Sequence, residues 1–236
     1  MCIRDRFGWT HTDQPTPMGP PYTQFFKDGK LVCGLSPMMP GVPPEVGAFW
    51  NSYVLVEDAD DAAAKAEAAG GKVTMPPMDV MDQGRMAMLA DPSGAALGLW
   101  QPGSHEGADL FNEPGSLTWN ELQTRDLETV LPFYETVFGW EWADGPDDGY
   151  KVANLPGKPG EDKSNAGAMS MPPGVPDEAP NLWMVYFAVS DCDTSMAAAQ
   201  GLGAQVFLPA MQMGPGRFGG LIDPTGGMFL VGSFGG

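Results

Sequence analysis

Residues 133 to 140 read Phe-Tyr-Glu-Thr-Val-Phe-Gly-Trp, and the last three of them, Phe138-Gly139-Trp140, occur once before as Phe7-Gly8-Trp9. Outward from that point the match continues. Pro40-Gly41-Val42-Pro43 returns as Pro173-Gly174-Val175-Pro176, Trp50 as Trp183, and Asp91-Pro92-Ser93-Gly94 as Asp223-Pro224-Thr225-Gly226, at offsets of about 131 to 133 residues. Landmarks that keep register over such a distance define two copies of one domain.

Within each copy the local pattern is strand, helix, then three strands. Leu-Thr-Trp-Asn-Glu-Leu-Gln at 117 to 123 predicts a strand, and Asp126 can cap a helix whose apolar residues Val130, Leu131, Phe133, Tyr134, Val137 and Phe138 follow helical spacing. Gly139 is its natural stop, while Pro132 should bend the helix or confine regular hydrogen bonding to one side. Strands are expected near 150 to 155 and 166 to 171. The pattern restarts with a strand at 182 to 189, a cap at Asp191, a helix with Met196, Ala197 and Leu202, a stop at Gly203, and strands near 204 to 208, 217 to 222 and 227 to 233. The first copy carries the same unit at 49 to 56, with a cap at Asp58, a helix over 59 to 69, a stop at Gly70, and strands near 72 to 75, 85 to 90 and 95 to 101. Each Asp-Pro-x-Gly suits a type I turn folding the last two strands into a hairpin. The fold class is therefore α+β, built from four tandem βαβββ units. A first domain is expected over 7 to 101, a polar linker over 102 to 116, and a second domain over 117 to 234. Counting back by the repeat offset, the strand and most of the helix of the first unit should precede Phe7, where only Met1 to Arg6 stand. The first domain is thus expected to lack both, leaving a sheet edge and apolar surface uncovered.

The chain has 236 residues, enough for two domains with cores of their own. Acidic residues outnumber basic ones 30 to 12, and the net charge of -18 would repel nucleic-acid phosphates and anionic membranes. No apolar run reaches the roughly 18 residues of a membrane span and no secretory h-region opens the chain, so a cytoplasmic protein is expected, as a monomer or a homodimer. Cys2, Cys33 and Cys192 form no Cys-x-x-Cys pair, so neither a disulfide framework nor a zinc site is indicated. Cys192 follows the helix cap at Asp191 and reads as a passive thiol.

Phe-Tyr-x-x-Val-Phe-Gly-Trp at 133 to 140, Asp-Pro-x-Gly before each final strand and the repeated strand-helix-three-strand order resemble the vicinal oxygen chelate superfamily, which includes glyoxalase I, bleomycin-resistance proteins and extradiol dioxygenases. The tandem arrangement and Trp-x-Glu-Leu-x-Thr-x-Asp at 119 to 126 look most like the two-domain, glyoxalase-like proteins of actinobacteria. The resemblance implies paired units forming two cup-shaped domains that bind a small molecule and often a divalent metal. Carrying over the family's ligand spacings gives Trp119, Asn51 and Met184 on first strands, and Gly98 and Leu230 on last strands. A divalent cation needs converging oxygen or imidazole donors, and of these only Asn51 offers one. No cofactor is therefore expected, with a divalent metal at unusual positions kept as the alternative. His11, in a Pro/Thr-rich loop, and His105, in the linker, read as solvated surface residues.

Strand alternation gives Trp119, Glu121 and Gln123 one inward face, as it does Asn51 with Tyr53 and Met184 with Tyr186. These are the candidate ligand-binding residues, an aromatic and thioether wall with a few polar groups. The structural alternative is that the Trp and Met simply fill a core. Glu121 is the candidate catalytic residue, because a carboxylate in an apolar cavity costs several kcal/mol unless paired, hydrated or protonated. Such a group suits proton transfer beside a carbonyl, or holding a cationic or hydroxylated ligand. An ion pair with Arg85 or Arg217 is the competing explanation. Met75, Met78, Met81, Met86 and Met88, with Met211 and Met213 in the repeat, read as core filling or as an adaptable lining. Three functions follow: a metal-free protein holding an apolar or aromatic small molecule; a lyase, isomerase or epimerase of glyoxalase type using Glu121, or a metal-dependent dioxygenase; and a degenerate copy with interaction duties only.

Overall fold

The computed structural model describes residues 7–16, 20–38, 47–214 and 216–234, so Met1 to Arg6 with Cys2, and the repeated segment 40 to 43, lie outside the described residues. In chain order the elements are β1 (Thr10–Gln14), β2 (Tyr22–Lys27), β3 (Lys30–Leu35), β4 (Tyr53–Leu55), α1 (Ala59–Ala68), β5 (Lys72–Val80), β6 (Gly84–Ala90), β7 (Ala96–Pro102), β8 (Leu117–Thr124), α2 (Leu127–Phe138), β9 (Glu141–Asp144), β10 (Lys151–Asn154), β11 (Ser164–Ser170), β12 (Leu182–Ala188), α3 (Cys192–Gly201), β13 (Gln205–Met213), β14 (Gly216–Ile222) and β15 (Met228–Phe234). The second, third and fourth repeats are complete βαβββ units, and the described part of the first is β1 to β3.

The chain folds into two compact units that take up the repeats out of sequence order. One holds residues 51–106 and 119–184, the second repeat with the third; the other holds 1–50, 107–118 and 185–236, the first with the fourth. In the former, the strand orders are β4-β7-β6-β5 and β8-β11-β10-β9. Each first strand pairs in parallel with the last of its repeat, Tyr53 opposite Gly98 and Glu121 opposite Gly167, while the remaining pairs are antiparallel. The other unit has β1-β2-β3 and β12-β15-β14-β13, with Tyr186 opposite Leu230.

Core formation follows the apolar periodicity. In the second–third unit, Ala59, Ala62, Ala63 and Ala66 make one side of α1 small enough to lie close to its neighbours, and α2 turns Val130, Phe133, Tyr134 and Val137 inward. Leu89, Leu97, Leu99 and Leu122, at most 1 % exposed, come from alternate strand positions, each contributing about 1.5–3 kcal/mol. The first–fourth unit has its own core of Phe7, Trp9, Phe25, Phe187, Phe229 and their aliphatic neighbours. Both Asp-Pro-x-Gly turns form as expected, with Gly94 N donating to Asp91 O at 2.9 Å and Gly226 N to Asp223 O at 3.0 Å.

Several boundaries differ from the sequence expectation for identifiable reasons. Asp58 caps α1 through Asp60 N and Asp61 N, and Asp191 caps α3 through Thr194 N, but Asp126 makes no side-chain cap bond. Helix α2 runs unbroken through Pro132, whose missing donor falls on the exposed side, and ends at Gly139 with φ of 69°. Beta5 and β13 extend past Pro76, Pro77 and Pro209 because both are edge strands with register shifts, where a missing N–H is tolerated. The expected strand at 49 to 56 shrinks to three residues, and β9 and β1 to β3 carry too little apolar alternation to have been anticipated. His11 accordingly sits exposed on β1 rather than in a loop, and His105 is half-buried edge-on to Trp100. Cys192 is buried, and burial pushes its thiol up from the ordinary value, as fits a passive group.

Candidate functional site

Beta8 turns Leu122 and Thr124 into the core beside α2, so alternation sends Trp119, Glu121 and Gln123 to the opposite face of the sheet. There they meet Tyr150, which precedes β10 in a turn closed by Tyr150 N to Asp147 O at 3.1 Å and Gly145 N to Tyr150 O at 2.8 Å. Trp119 Nε1 donates to Tyr150 Oη at 2.9 Å, and Tyr150 Oη donates to Glu121 Oε2 at 2.9 Å. Gln123 Nε2 donates to Glu121 Oε1, also at 2.9 Å. The arrangement depends on Gly167 in the adjacent strand β11, because a Cβ there would meet the Tyr150 hydroxyl and stand 2.8 Å from Trp119 Nε1.

Glu121 is only 5 % exposed, and both its oxygens accept bonds from neutral donors. The arginines proposed as its partners are committed elsewhere: Arg85 to Asp60 and Asp79 at 2.6 and 2.7 Å, Arg217 to Asp193 at 2.6 Å. Burial, and then the charge of Glu121, hold the Tyr150 phenol far above its ordinary value, so it remains a donor. Sequence reasoning missed Tyr150 because it lies outside the strand alternation; a glycine within a strand, Gly167, was the available sign of a close approach. Tyr150 also lines an open cleft of about 680 Å³ with Arg125, Glu128, Asp147, Lys151 and Ser170, a polar rather than an aromatic opening.

The remaining candidates lie elsewhere. Asn51 Nδ2 contacts Met88 Sδ at 3.6 Å, and Tyr53, 48 % exposed, covers Gly98 and stands edge-on to Trp100 at 6.5 Å. Met184 is buried, and Tyr186, in the first–fourth unit, begins an aromatic file through Phe218 to Phe234. Met78, Met81 and Met211 are exposed and do not fill a core.

The positions that carry metal ligands by resemblance do not make a cation site. Trp119 is bonded to Tyr150, Asn51 faces a thioether, Gly98 lies under the Tyr53 ring, and Met184 and Leu230 are buried apolar side chains. Among the described residues no three His, Cys, Asp or Glu side chains converge to hold a metal. This donor set does not fit a hard divalent ion.

The fold and the repeat agree with comparisons to known proteins. Residues 4–99 match the model of the glyoxalase/bleomycin resistance protein/dioxygenase superfamily, and residues 119–232 match that of the glyoxalase-like domain. CFP32 of Mycobacterium tuberculosis, provisionally named a glyoxylase, is 43 % identical over 233 residues, covering 95 % of this chain and 85 % of that protein. The anthracycline biosynthesis protein DnrV of Streptomyces peucetius is 37 % identical over 236 residues, covering 95 % and 84 %. The chain belongs to the glyoxalase/bleomycin resistance protein/dioxygenase superfamily. Among solved structures, the 2,3-dioxygenase LapB of Pseudomonas sp. KL28 aligns over 99 % of this chain and 86 % of its own with a TM-score of 0.59 at 14 % identity. The Mn(II)-bound glyoxalase of Novosphingobium aromaticivorans aligns over 98 % and 77 % with a TM-score of 0.56 at 13 % identity. These likenesses are of fold. No helix among the described residues is long and apolar enough to cross a membrane.

Proposed function

We propose that the protein binds a small, largely apolar or aromatic molecule carrying a hydrogen-bond donor, without a metal centre, at the face of β8 that bears Trp119, Glu121 and Gln123. The observation that carries this reading is the chain Trp119–Tyr150–Glu121–Gln123, a buried carboxylate ringed by neutral donors beside an indole. A carboxylate recognises a hydroxyl or an amine, and the indole offers a flat apolar surface. Asn51, Tyr53, Met184 and Tyr186 are further candidates for ligand contact. Two kinds of relative support a small-molecule role by name, the provisional glyoxylase CFP32 and the anthracycline biosynthesis proteins. The polar dyad also favours a second reading, in which Glu121 removes a proton from carbon beside a carbonyl and returns it to a neighbouring atom, as in an isomerase or epimerase of glyoxalase type.

Quenching of Trp119 fluorescence by phenolic and amino-substituted aromatic compounds, measured with and without a chelator, tests the proposal. Saturable binding unchanged by chelator is expected. A stoichiometric cation whose removal abolishes binding would overturn the metal-free reading, and turnover of a bound carbonyl compound lost in Glu121→Gln would favour the enzymatic one.

A further inference from the structure

In the second–third unit, the β5–β6 hairpin carries four methionines on one face. Ala87 and Leu89 of β6 are fully buried in the core, so alternation turns Met86 and Met88 to the other side of the sheet. Met75 of β5 stands opposite Met88 and Met78 opposite Met86, with the register shift between Met75 and Met78 keeping both on that side. The result is a two-by-two set of thioethers. Facing residues in such a pair have Cβ atoms about 4.5–5.5 Å apart, and each flexible side chain can bring its sulfur toward a common point.

These methionines are not core filler. The core of this unit is built from Ala, Leu, Val and aromatic residues and contains no methionine among the described residues. Met78 is 47 % exposed, Met75 and Met86 are half-buried, and Met88 is buried with Asn51 Nδ2 at 3.6 Å from its sulfur. The fourth repeat forms the same hairpin with Leu208, Phe218 and Gly220 in the places of Met75, Met86 and Met88, and keeps only Met211 in that of Met78. An apolar wall in this fold therefore does not require sulfur, and the second repeat has concentrated it.

The surroundings set the charge that such a cluster can accept. Gly98 and Trp100 of β7 stand next to Met88 and Met86 in register, and neither is charged. Arg85 and Asp79, a rung further along, pair with each other at 2.7 Å, and Arg85 turns to Asp60 of α1 at 2.6 Å. Neutral thioethers with no carboxylate beside them are poor partners for a hard divalent ion, which takes oxygen ligands. They match a soft monovalent one. The Trp100 ring, fixed by its Nε1 donating to His105 O at 3.0 Å, adds an aromatic surface beside the sulfurs.

We infer that Met75, Met78, Met86 and Met88 form a binding site for a soft monovalent cation, Cu(I) or Ag(I), held by thioether sulfurs beside the Trp100 indole. The site uses none of Trp119, Glu121 and Gln123, so it stands independently of the small-molecule reading.

The test is NMR of isotope-labelled methionine methyl groups in the full chain during titration with Ag(I), with Cys2→Ser and Cys33→Ser removing competing thiols. The signals of Met75, Met78, Met86 and Met88 should move together and saturate, while those of Met211 and Met228, also exposed, stay in place. Met78→Leu and Met86→Leu conserve volume and apolar character, so circular dichroism should be unchanged while each weakens Ag(I) binding about tenfold or more. Cu(I) kept reduced should follow Ag(I). Thioethers have no proton to displace, so affinity should hold between about pH 5 and 8, the range in which a histidine such as His105 titrates. The inference is overturned if the four signals move no further than those of Met211 and Met228, if the Leu variants bind as tightly, if Zn(II) displaces Ag(I), or if affinity is lost at the acid end.

Discussion

Tyr150 donates its hydroxyl hydrogen to Glu121 Oε2 across 2.9 Å, joining the turn before β10 to the middle of β8. The bond explains how a carboxylate that is 5 % exposed persists without either of the arginines that flank equivalent strands. Both Glu121 carboxylate oxygens accept from neutral side-chain donors, Tyr150 Oη and Gln123 Nε2.

Replacing Glu121 by Gln should raise the dissociation constant of a donor-bearing aromatic ligand at least about tenfold, the worth of one hydrogen bond to a charged acceptor. The amide can still accept from Tyr150 if Gln123 flips, so circular dichroism should report an unchanged fold. Unaltered affinity would remove Glu121 from the binding site.

Gly167→Ala separates the site from the scaffold. A methyl group there displaces the Tyr150 hydroxyl and crowds Trp119 Nε1, so ligand affinity should fall more steeply than the urea midpoint. Equal wild-type affinity would show that the Trp119–Tyr150 pair is dispensable.

Trp183→Ala should cost roughly 3–5 kcal/mol in chemical denaturation. Trp183 is 8 % exposed, stands edge-on to Tyr134 at 5.4 Å and Trp140 at 6.1 Å, and donates to Tyr134 Oη. A loss below about 1 kcal/mol would be too small for a core position.

Alkaline stability should depend on Tyr134. Burial, and then the charge of Asp91, hold its phenol well above the ordinary value of 10.0, so the unfolded chain releases this proton at a pH where the folded chain retains it. Stability is therefore intact below pH 10 and declines above it, by about 1.4 kcal/mol per pH unit for this one group. Tyr134→Phe should lower the urea midpoint at pH 7, because Trp183 and Asp91 lose a partner, yet flatten the decline between pH 10 and 11. An unchanged slope would refute the assignment.

The elements that depend on local pattern were legible: the Asp-Pro-x-Gly hairpins, the stop at Gly139 and the three complete βαβββ repeats are set by turn chemistry, φ preference and apolar spacing within a few residues. Strand alternation likewise placed Trp119, Glu121 and Gln123 on one face. Prolines within β5 and β13 obscured the length of those strands, since nothing local distinguishes an edge strand from a central one.

By itself, then, the sequence determined the repeat, the order of elements within it and the absence of ligand-type side chains at Trp119, Met184, Gly98 and Leu230. Only the tertiary structure decided that the second repeat joins the third and the first joins the fourth, and that Tyr150 rather than an arginine meets Glu121. Both are settled by contacts between residues far apart in the chain, such as Asp91 with Tyr134 and Tyr150 with Glu121. Their free energy comes from burying and pairing groups in three dimensions, which no local spacing encodes.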